Sequence, residues 1–468
     1  MILACASFLS SAVTLPIRAF ASIVSRVVRN PKTKTFFLER SRSHLKNQLR
    51  LARNLIEQTS DSQPRATFWI HISSAGELEQ AIPVMRALHQ KLSVQFFVTY
   101  FSPSAKSFLK NCTGVIGHVS LPAEDLEGYS RIITELNISR LILVRYDFWP
   151  TLIHTARKRN LPIAVLAATL GGARSILPKR LQTLSKLFWF KRADLLFLID
   201  EKERTHLIER GLSPEDIIVA GDAKWERARE RARAQHLQIK ETLLTSALAH
   251  LASNQDSRTR KTIVFGSPHE DETQILIWCL EDLTTPCLFV MAPAEVDEST
   301  LLAFEKSIDH VAAQTIRLSD LEQSLDCLLP IESDRHVVLI LDCFGQLATA
   351  YGKADCAIVG GGFDGQLHNV LEPAAYPVLT LFGNRTTRAP EAQILLNHNA
   401  AVSFDQPKAL FDFLRCWSSL KIEGRGRGSD CLEFEHILEN ARTLFGSLPN
   451  TSEVICRAIA QRDKLEII

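Results

Sequence analysis

The ten cysteines are scattered through 468 residues, with no Cys-x-x-Cys pair and no histidines at ligand-like spacing. That argues against a disulfide framework or a zinc site and points to buried thiols in a reducing compartment. A long apolar run is also missing. Ile2 to Ile17 is interrupted by Ser7, Ser10, Ser11, Thr14 and Pro16 and ends at Arg18, short of the roughly 20 residues of a spanning helix. No positive charge precedes it, as a secretory signal requires. The formal net charge of +2 argues against a nucleic-acid binder as a whole. Internal repeats, low-complexity tracts and aspartate-rich metal motifs are absent, so neither a metal nor another cofactor is expected. What remains, at 46% hydrophobic and 23% charged, is an ordinary globular composition in a chain long enough for two domains.

Charge is unevenly placed. Residues 1–60 hold ten basic side chains (Arg18, Arg26, Arg29, Lys32, Lys34, Arg40, Arg42, Lys46, Arg50, Arg53) against Glu39 and Glu57. A polybasic end suits anionic lipid headgroups; a solvated helix face is the plainer account. Val13, Ile17, Phe20, Val24 and Val27 recur at helical spacing, with Arg18, Ser22, Ser25, Arg26 and Arg29 on the other side. The pattern predicts an amphipathic helix on a membrane surface, with a single N-terminal anchor as the alternative.

Strand-then-helix alternation starts at Thr67 to Ile72 and continues through strands at Val94 to Thr99, Leu141 to Val144, Ile163 to Ala167 and Leu195 to Ile199. A charged helical stretch, Lys224 to Lys240, reads as interdomain. A second series follows at Thr262 to Phe265, Cys287 to Met291, Val337 to Leu341, Cys356 to Val359 and Val378 to Phe382. Parallel strands with helical crossovers define a doubly wound α/β class. The expected division is a basic N-terminal segment over 1–64, one α/β domain over 65–240 and another over 255–468, with Gly424 to Gly428 a loop.

The most informative stretch is Gly360-Gly361-Gly362-Phe363-Asp364-Gly365-Gln366-Leu367-His368-Asn369-Val370-Leu371-Glu372-Pro373. It follows an apolar strand and opens into a helical pattern. Glycines let backbone approach a ligand, and a helix N-terminus offers N–H groups to an anion. The plain alternative is a helix start that His368 and Asn369 merely cap. Joined to the His-Asn-x-Leu-Glu-Pro run, the turn resembles the donor-nucleotide site of the 3-deoxy-D-manno-octulosonic acid (Kdo) transferases of lipopolysaccharide synthesis. These are family-30 glycosyltransferases of the GT-B type, with two Rossmann-like domains facing a central cleft.

The resemblance covers roughly residues 65 to 400 and implies roles residue by residue. Ser74-Ala75-Gly76-Glu77 looks like the Ser-x-Gly-Glu motif that carries the catalytic carboxylate, with Ser74 and Gly76 on the acceptor side. An inverting sugar transfer needs one base to take the acceptor's proton, and Glu77 lies where such strands end. The plainer role is a first-turn glutamate favouring the helix dipole. Arg145-Tyr146-Asp147-Phe148-Trp149-Pro150 resembles the acidic-x-acidic-Leu-Trp-Pro motif, with Arg145 replacing the first acid. Asp147 would assist catalysis, and Arg145 and Trp149 would meet the acceptor; a surface pair with Trp149 in the core is the alternative. Gly221 to Lys224 matches a block in which Lys224 approaches the donor, or is a simple helix lysine.

Gly266-Ser267-Pro268-His269-Glu270 looks like the family's Gly-Ser-Thr-His-Glu loop. Gly266, Ser267 and His269 would then hold phosphate, or Ser267 caps the next helix. Ala294 stands where related sequences carry Arg or His, so either another residue, Arg385 or Arg388, supplies the cation or donor binding is weakened. Asp342-Cys343-Phe344-Gly345 resembles the loop at the nucleotide base, with Phe344 and Gly345 shaping the pocket, although such a Phe is more often core. Gly361, Gly362, His368 and Asn369 would lie at the phosphate and Glu372 at the ribose hydroxyls. The implied activity is Kdo transfer from CMP-Kdo to a lipid A precursor at the cytoplasmic face of the inner membrane. Alternatives are a GT-B enzyme using a UDP- or GDP-sugar and a non-enzymatic lipid-binding or scaffolding paralogue.

Overall fold

The computed structural model describes residues 38–58, 66–109, 112–122, 125–145, 148–171, 179–237, 243–253, 260–311, 313–322, 334–376, 378–387, 389–420 and 429–467. The amphipathic pattern of residues 13–28 and the loop at Gly424 to Gly428 lie outside them. The chain forms two compact units: residues up to Arg227 with Pro449–Ile468, and Ala228–Leu448.

The first unit is built on β1 (Thr67–Ile72), β2 (Gln95–Tyr100), β3 (Val115–Ser120), β4 (Ile138–Val144), β5 (Ile163–Ala168), β6 (Leu195–Leu198) and β7 (Ile217–Val219). All pairings are parallel, in the order β3-β2-β1-β4-β5-β6-β7. Strands β1, β2, β5 and β6 are buried at every residue. Helices cover both faces, so these strands read as continuous apolar runs instead of alternating. On one face Leu78, Val84 and Leu88 of helix Ala75–Leu92 pack with Ile70, Val98 and the final helix Thr451–Asp463 through Ile455, Cys456 and Ile459. On the other, helix Arg42–Gln58 lays Leu45, Leu49 and Ala52, spaced by helical turns, among Trp69, Phe97 and Leu141. Its Arg42 pairs with Asp125 and Glu127.

The second unit is another seven-stranded sheet, with one more strand on the side of its first strand, built from β8 (Lys261–Gly266), β9 (Cys287–Ala292), β10 (Ala313–Arg317), β11 (His336–Ile340), β12 (Cys356–Val359), β13 (Leu379–Gly383) and β14 (Val402–Phe404). The order is β10-β11-β9-β8-β12-β13-β14, again all parallel. Helices Glu270–Asp282 and Pro407–Ser419 bury Ile275, Cys279, Leu410 and Leu414 on one face, and helix Leu243–Ala252 buries Leu244, Leu248 and Leu251 on the other.

Each sheet reverses its strand order once, between β1 and β4 and between β8 and β12. In doubly wound sheets ligands bind outside the strand carboxyl ends at that switch point. The segments leaving these four strands include most of the residues singled out in the sequence.

Candidate functional site

In the first unit β1 runs into Ser73 and Ser74, and helix Ala75–Leu92 begins. Ser74 is the N-cap in an extended conformation, and its hydroxyl makes no capping bond. The cap comes from Glu77, whose Oε2 accepts the Ser73 N–H. A first-turn carboxylate reaching back satisfies an orphan donor and favours the helix dipole. The plain role is thus present, and the same bond fixes a half-buried carboxylate just beyond β1. Gly76 between them is exposed, and a Cβ there would meet only the Ser74 Oγ at 3.9 Å.

Arg145, directly after β4, has φ 63°, a left-handed backbone costly for a long side chain. It is held by its N–H to the Leu166 carbonyl at 2.7 Å and by its Nε to Gln80 Oε1 at 2.9 Å. Gln80 Nε2 donates to Asp222 Oδ1 at 2.9 Å, and the Lys224 N–H reaches the same oxygen at 2.9 Å. The Gly221 to Lys224 block is thus tied to Arg145 through the buried Gln80, a link that the sequence did not disclose. Trp149 caps helix Pro150–Lys158 and packs against Phe101 (5.5 Å between rings) and edge-on to His71 (6.3 Å), while the Arg40 guanidinium lies 5.2 Å from the Phe101 centroid. Asp147 lies outside the described residues.

Beside this point, after β5, the buried Lys186 donates to the carbonyls of Thr169 (3.3 Å), Leu170 (2.8 Å) and Gly171 (2.7 Å). Burial pushes its pKa down to about 8, against the opposing charge of Glu203.

In the second unit two loops meet at the switch point. Ser267, with φ 50°, turns the chain out of β8, and His269 caps helix Glu270–Asp282. A Cβ at Gly360, where the chain leaves β12, would sit 1.9 Å from the Ser267 carbonyl oxygen, so only glycine allows this approach. At Gly266 a Cβ would likewise fall 1.8 Å from the Tyr351 hydroxyl. What these two glycines admit is protein, packing the loops against each other and against the helix after β11.

Glu272, which is 1% exposed, joins the loops: Oε2 accepts the His269 N–H at 2.9 Å and Oε1 the Gly361 N–H at 3.1 Å. Burial raises its pKa, with the two N–H bonds pulling the other way. Its place three residues after the cap is the capping-box position, the one sequence signal that marks it. Above it runs a chain of side chains. Asp364 Oδ2 lies 2.7 Å from His269 Nδ1, and His269 Nε2 lies 3.1 Å from His368 Nε2, the rings edge-on at 5.2 Å. Burial raises the Asp364 pKa, but the His269 and Gln366 hydrogen bonds outweigh that and hold it low. For half-buried His368, burial and then the charge of His269 depress the pKa.

The stretch after β12 departs from the expected helix start. It passes through turns at 361–365, closed by the Gln366 N–H to the Gly361 carbonyl at 2.8 Å, and reaches only one helical turn, Leu371–Ala374. The positive φ of Gly361 and Gly365 breaks helical continuity. Asn369 Oδ1 accepts the Leu371 N–H at 3.1 Å, as the capping alternative anticipates. Gly362 receives the Arg385 N–H on its carbonyl at 2.9 Å. Ala294 is exposed after β9, and Arg388 lies outside the described residues. Glu372 accepts from Arg231 Nη1 at 2.6 Å, an ion pair with a helix that reads in the sequence only as charged. Phe344 is 73% exposed in the loop after β11, next to Gly345 at φ 89°, so it is a surface aromatic and not core. Among the described residues no cluster of three or more His, Cys, Asp or Glu side chains is placed to hold a metal ion.

Two doubly wound parallel sheets, each carrying its candidate residues at the switch point, define a GT-B type chain. Solved structures share that fold: UDP-GlcNAc 2-epimerase from Neisseria meningitidis bound to UDP-GlcNAc (TM-score 0.55, 11% identity, 84% of this chain and 100% of that one). A glycosyltransferase from Rickettsia africae ESF-5 aligns similarly (TM-score 0.52, 14% identity, 86% and 98%). The family model of 3-deoxy-D-manno-octulosonic-acid transferase (kdotransferase) matches residues 43–227, all within the first unit. The likeness extends along most of the chain. A 3-deoxy-D-manno-octulosonic acid transferase of Haemophilus influenzae is 25% identical over 70% of this chain and 73% of its own length. One from Rickettsia prowazekii is 21% identical over 75% and 72%. A bifunctional glycosyltransferase/methyltransferase of Fusobacterium nucleatum is 23% identical over 79% of this chain, which spans only 53% of that relative.

Proposed function

We propose that this chain is an inverting glycosyltransferase that moves Kdo from CMP-Kdo to a lipid A precursor. The observation that carries this reading is the placement of family-like motifs after β1, β4, β8 and β12, the strands that flank the two switch points. The division of labour follows from chemistry. The first unit presents Glu77 as the base, its orientation set by the Ser73 N–H. It takes the proton of an acceptor hydroxyl as that oxygen attacks the anomeric carbon. The bond from that carbon to the phosphate oxygen breaks, and CMP leaves with the electron pair. The second unit receives the nucleotide, with phosphate at the His269–His368 loops, ribose at Glu372 and the base on exposed Phe344. Backbone N–H groups and imidazoles stabilise a departing monophosphate without a divalent ion, and turnover is expected to persist in EDTA.

The place of work is the cytoplasmic face of the inner membrane. Supporting this, helix Lys179–Phe190 exposes Leu181 (51%) and Leu184 (61%), and the Arg192 guanidinium lies 3.5 Å from the Phe188 centroid, with Arg180 and Lys191 nearby in sequence. An apolar stripe edged with cations suits an anionic interface. No helix among the described residues is long and apolar enough to cross a membrane.

The deciding experiment supplies the purified full chain with CMP-Kdo and a tetra-acylated lipid A precursor. The product is read by mass spectrometry and its anomeric configuration by NMR. Calorimetry should show CMP binding at least about tenfold tighter than UDP, roughly the worth of one good polar contact. Tighter UDP binding with no Kdo transfer overturns the reading in favour of another nucleotide sugar; binding of lipid alone points to a non-catalytic paralogue.

A further inference from the structure

The chain of three side chains above Glu272 has a hydrogen-bonding logic of its own. An ionised carboxylate can only accept, so the Asp364 contact places the hydrogen of a neutral His269 on Nδ1 and leaves Nε2 bare. The 3.1 Å contact between the two Nε2 atoms holds one hydrogen, which must then belong to His368. With both imidazoles neutral, His368 Nδ1 is left with a lone pair. Among the described residues no hydrogen bond is made to that nitrogen. The other charged residues on these loops are Glu272, bonded to the His269 and Gly361 N–H groups, Arg385, whose backbone N–H lies on Gly362, and Glu270, exposed next to His269 in the chain.

We propose that Asp364 is a positioning residue for a two-histidine proton store that serves an anion bound beside His368. One proton enters from solvent at His368 Nδ1. The shared hydrogen shifts from His368 Nε2 to His269 Nε2, so the positive charge settles on His269 against Asp364. His368 is left neutral with an Nδ1–H directed at the anion. Charges and protons balance: the neutral pair gains one proton and the anion meets a donor. The proposal rests on the reading that the second unit receives the donor's phosphate. It adds that the cation appears on the histidine pair when the anion arrives, burial disfavouring a charge on His368 itself. A permanent cation would be the simpler solution, but at this place the described residues supply an aspartate–histidine pair.

The test is calorimetric titration of the full chain with CMP, and separately with inorganic phosphate, in two buffers of different ionisation heat near pH 7.5. The wild type is expected to take up roughly one proton per anion bound. Asp364→Asn should lose the uptake and bind the anion several-fold more weakly, Asp364→Glu should restore it, and His368→Gln should abolish it. Imidazole nitrogen NMR on the free wild type should show His269 as the Nδ1–H and His368 as the Nε2–H tautomer. Binding without proton uptake, an unchanged uptake in Asp364→Asn, or the opposite tautomers overturns the proposal. Phosphate taken up with a proton while CMP is ignored sinks the nucleotide reading and leaves the proton store standing. Failure of both anions to bind sinks both.

Discussion

Each unit is a seven-stranded parallel sheet with a switch point, and the two present groups of opposite kind there. In the first, the group presented beyond the central strand is a carboxylate, Glu77, held by a backbone N–H, and a buried cation, Lys186, gathers carbonyls of a neighbouring loop. In the second, the groups presented are imidazoles and N–H donors, and a buried carboxylate, Glu272, gathers the N–H groups of both loops. A unit that offers negative charge suits a base, and one that offers donors suits a phosphate. The fold supplies position and the loops supply the sign, which is why architecture alone assigns no activity.

Removing the negative group of the first unit breaks the comparison most severely. Glu77→Gln is expected to lower turnover by about 10²–10⁴-fold, the usual contribution of a general base, with CMP affinity within about twofold in calorimetry, since this substitution leaves the second unit intact. A comparable loss of CMP binding would show that the roles are not divided between the units. Next in size is Glu372, the carboxylate that the second unit does expose to a partner. Its ion pair with Arg231 fixes the side chain in the free protein. If it accepts ribose hydroxyls, Glu372→Ala weakens CMP by about 10–100-fold, as for the loss of a charge-assisted hydrogen bond, and erases discrimination against 2′-deoxy-CMP. Retained discrimination would mean that its role is the Arg231 pair alone.

Third comes stability. Glu272→Ala leaves the buried N–H groups of His269 and Gly361 without their acceptor, at a cost of about 1–3 kcal/mol for each buried donor left unpaired. Denaturant unfolding should show this loss in the transition of the second unit, while that of the first stays in place. A shift of both would show that the two units unfold as one.

Much of this was legible in the chain, and the boundary of legibility has a physical form. The ten strands read from apolar runs are the inner strands of the two sheets. The four not read, Val115–Ser120, Ile217–Val219, Ala313–Arg317 and Val402–Phe404, are the four sheet edges. An edge strand is covered less, and these are mostly half-buried, so their sequences carry no continuous apolar run. In the candidate site the same limit holds. Glu77, His269, His368 and Glu372 stand out because motifs surround them. Gln80 and Arg231 do not, because each looks like a solvated helix residue until a distant partner is seen; Asp364 lies inside the glycine-rich stretch and Glu272 at a capping-box position, but neither shows its role until His269 and Gly361 are seen beside them. The packing of the last helix on the first unit, through Ile455 and Ile459, is likewise a long-range contact without a local sequence mark.

The finest test of the contrast is the pH dependence of the two tethers. Lys186 has a folded pKa of about 8 against an ordinary value of 10.5. Between those values the unfolded chain binds more protons than the folded one, so stability must rise with pH through that window. The contribution is fully present above the ordinary value and gone once pH falls through about 8; on the order of 3 kcal/mol is its ceiling. Glu272 has the opposite sign. Its folded pKa is raised, so the folded chain binds more protons above the ordinary carboxylate value of 4.5, and stability must fall as pH climbs from there through the raised value. The depressed His368 adds a separate loss on acidification below 6.5, so the comparison has to be made between variants and not on raw curves. The stability of wild type minus Lys186→Met should increase between about pH 8 and 10 in the first unit. The stability of wild type minus Glu272→Gln should decrease as pH rises above the ordinary carboxylate range in the second. If both differences are flat, the two buried charges titrate alike in the folded and unfolded chain, and the inversion between the units is one of geometry and not of electrostatics.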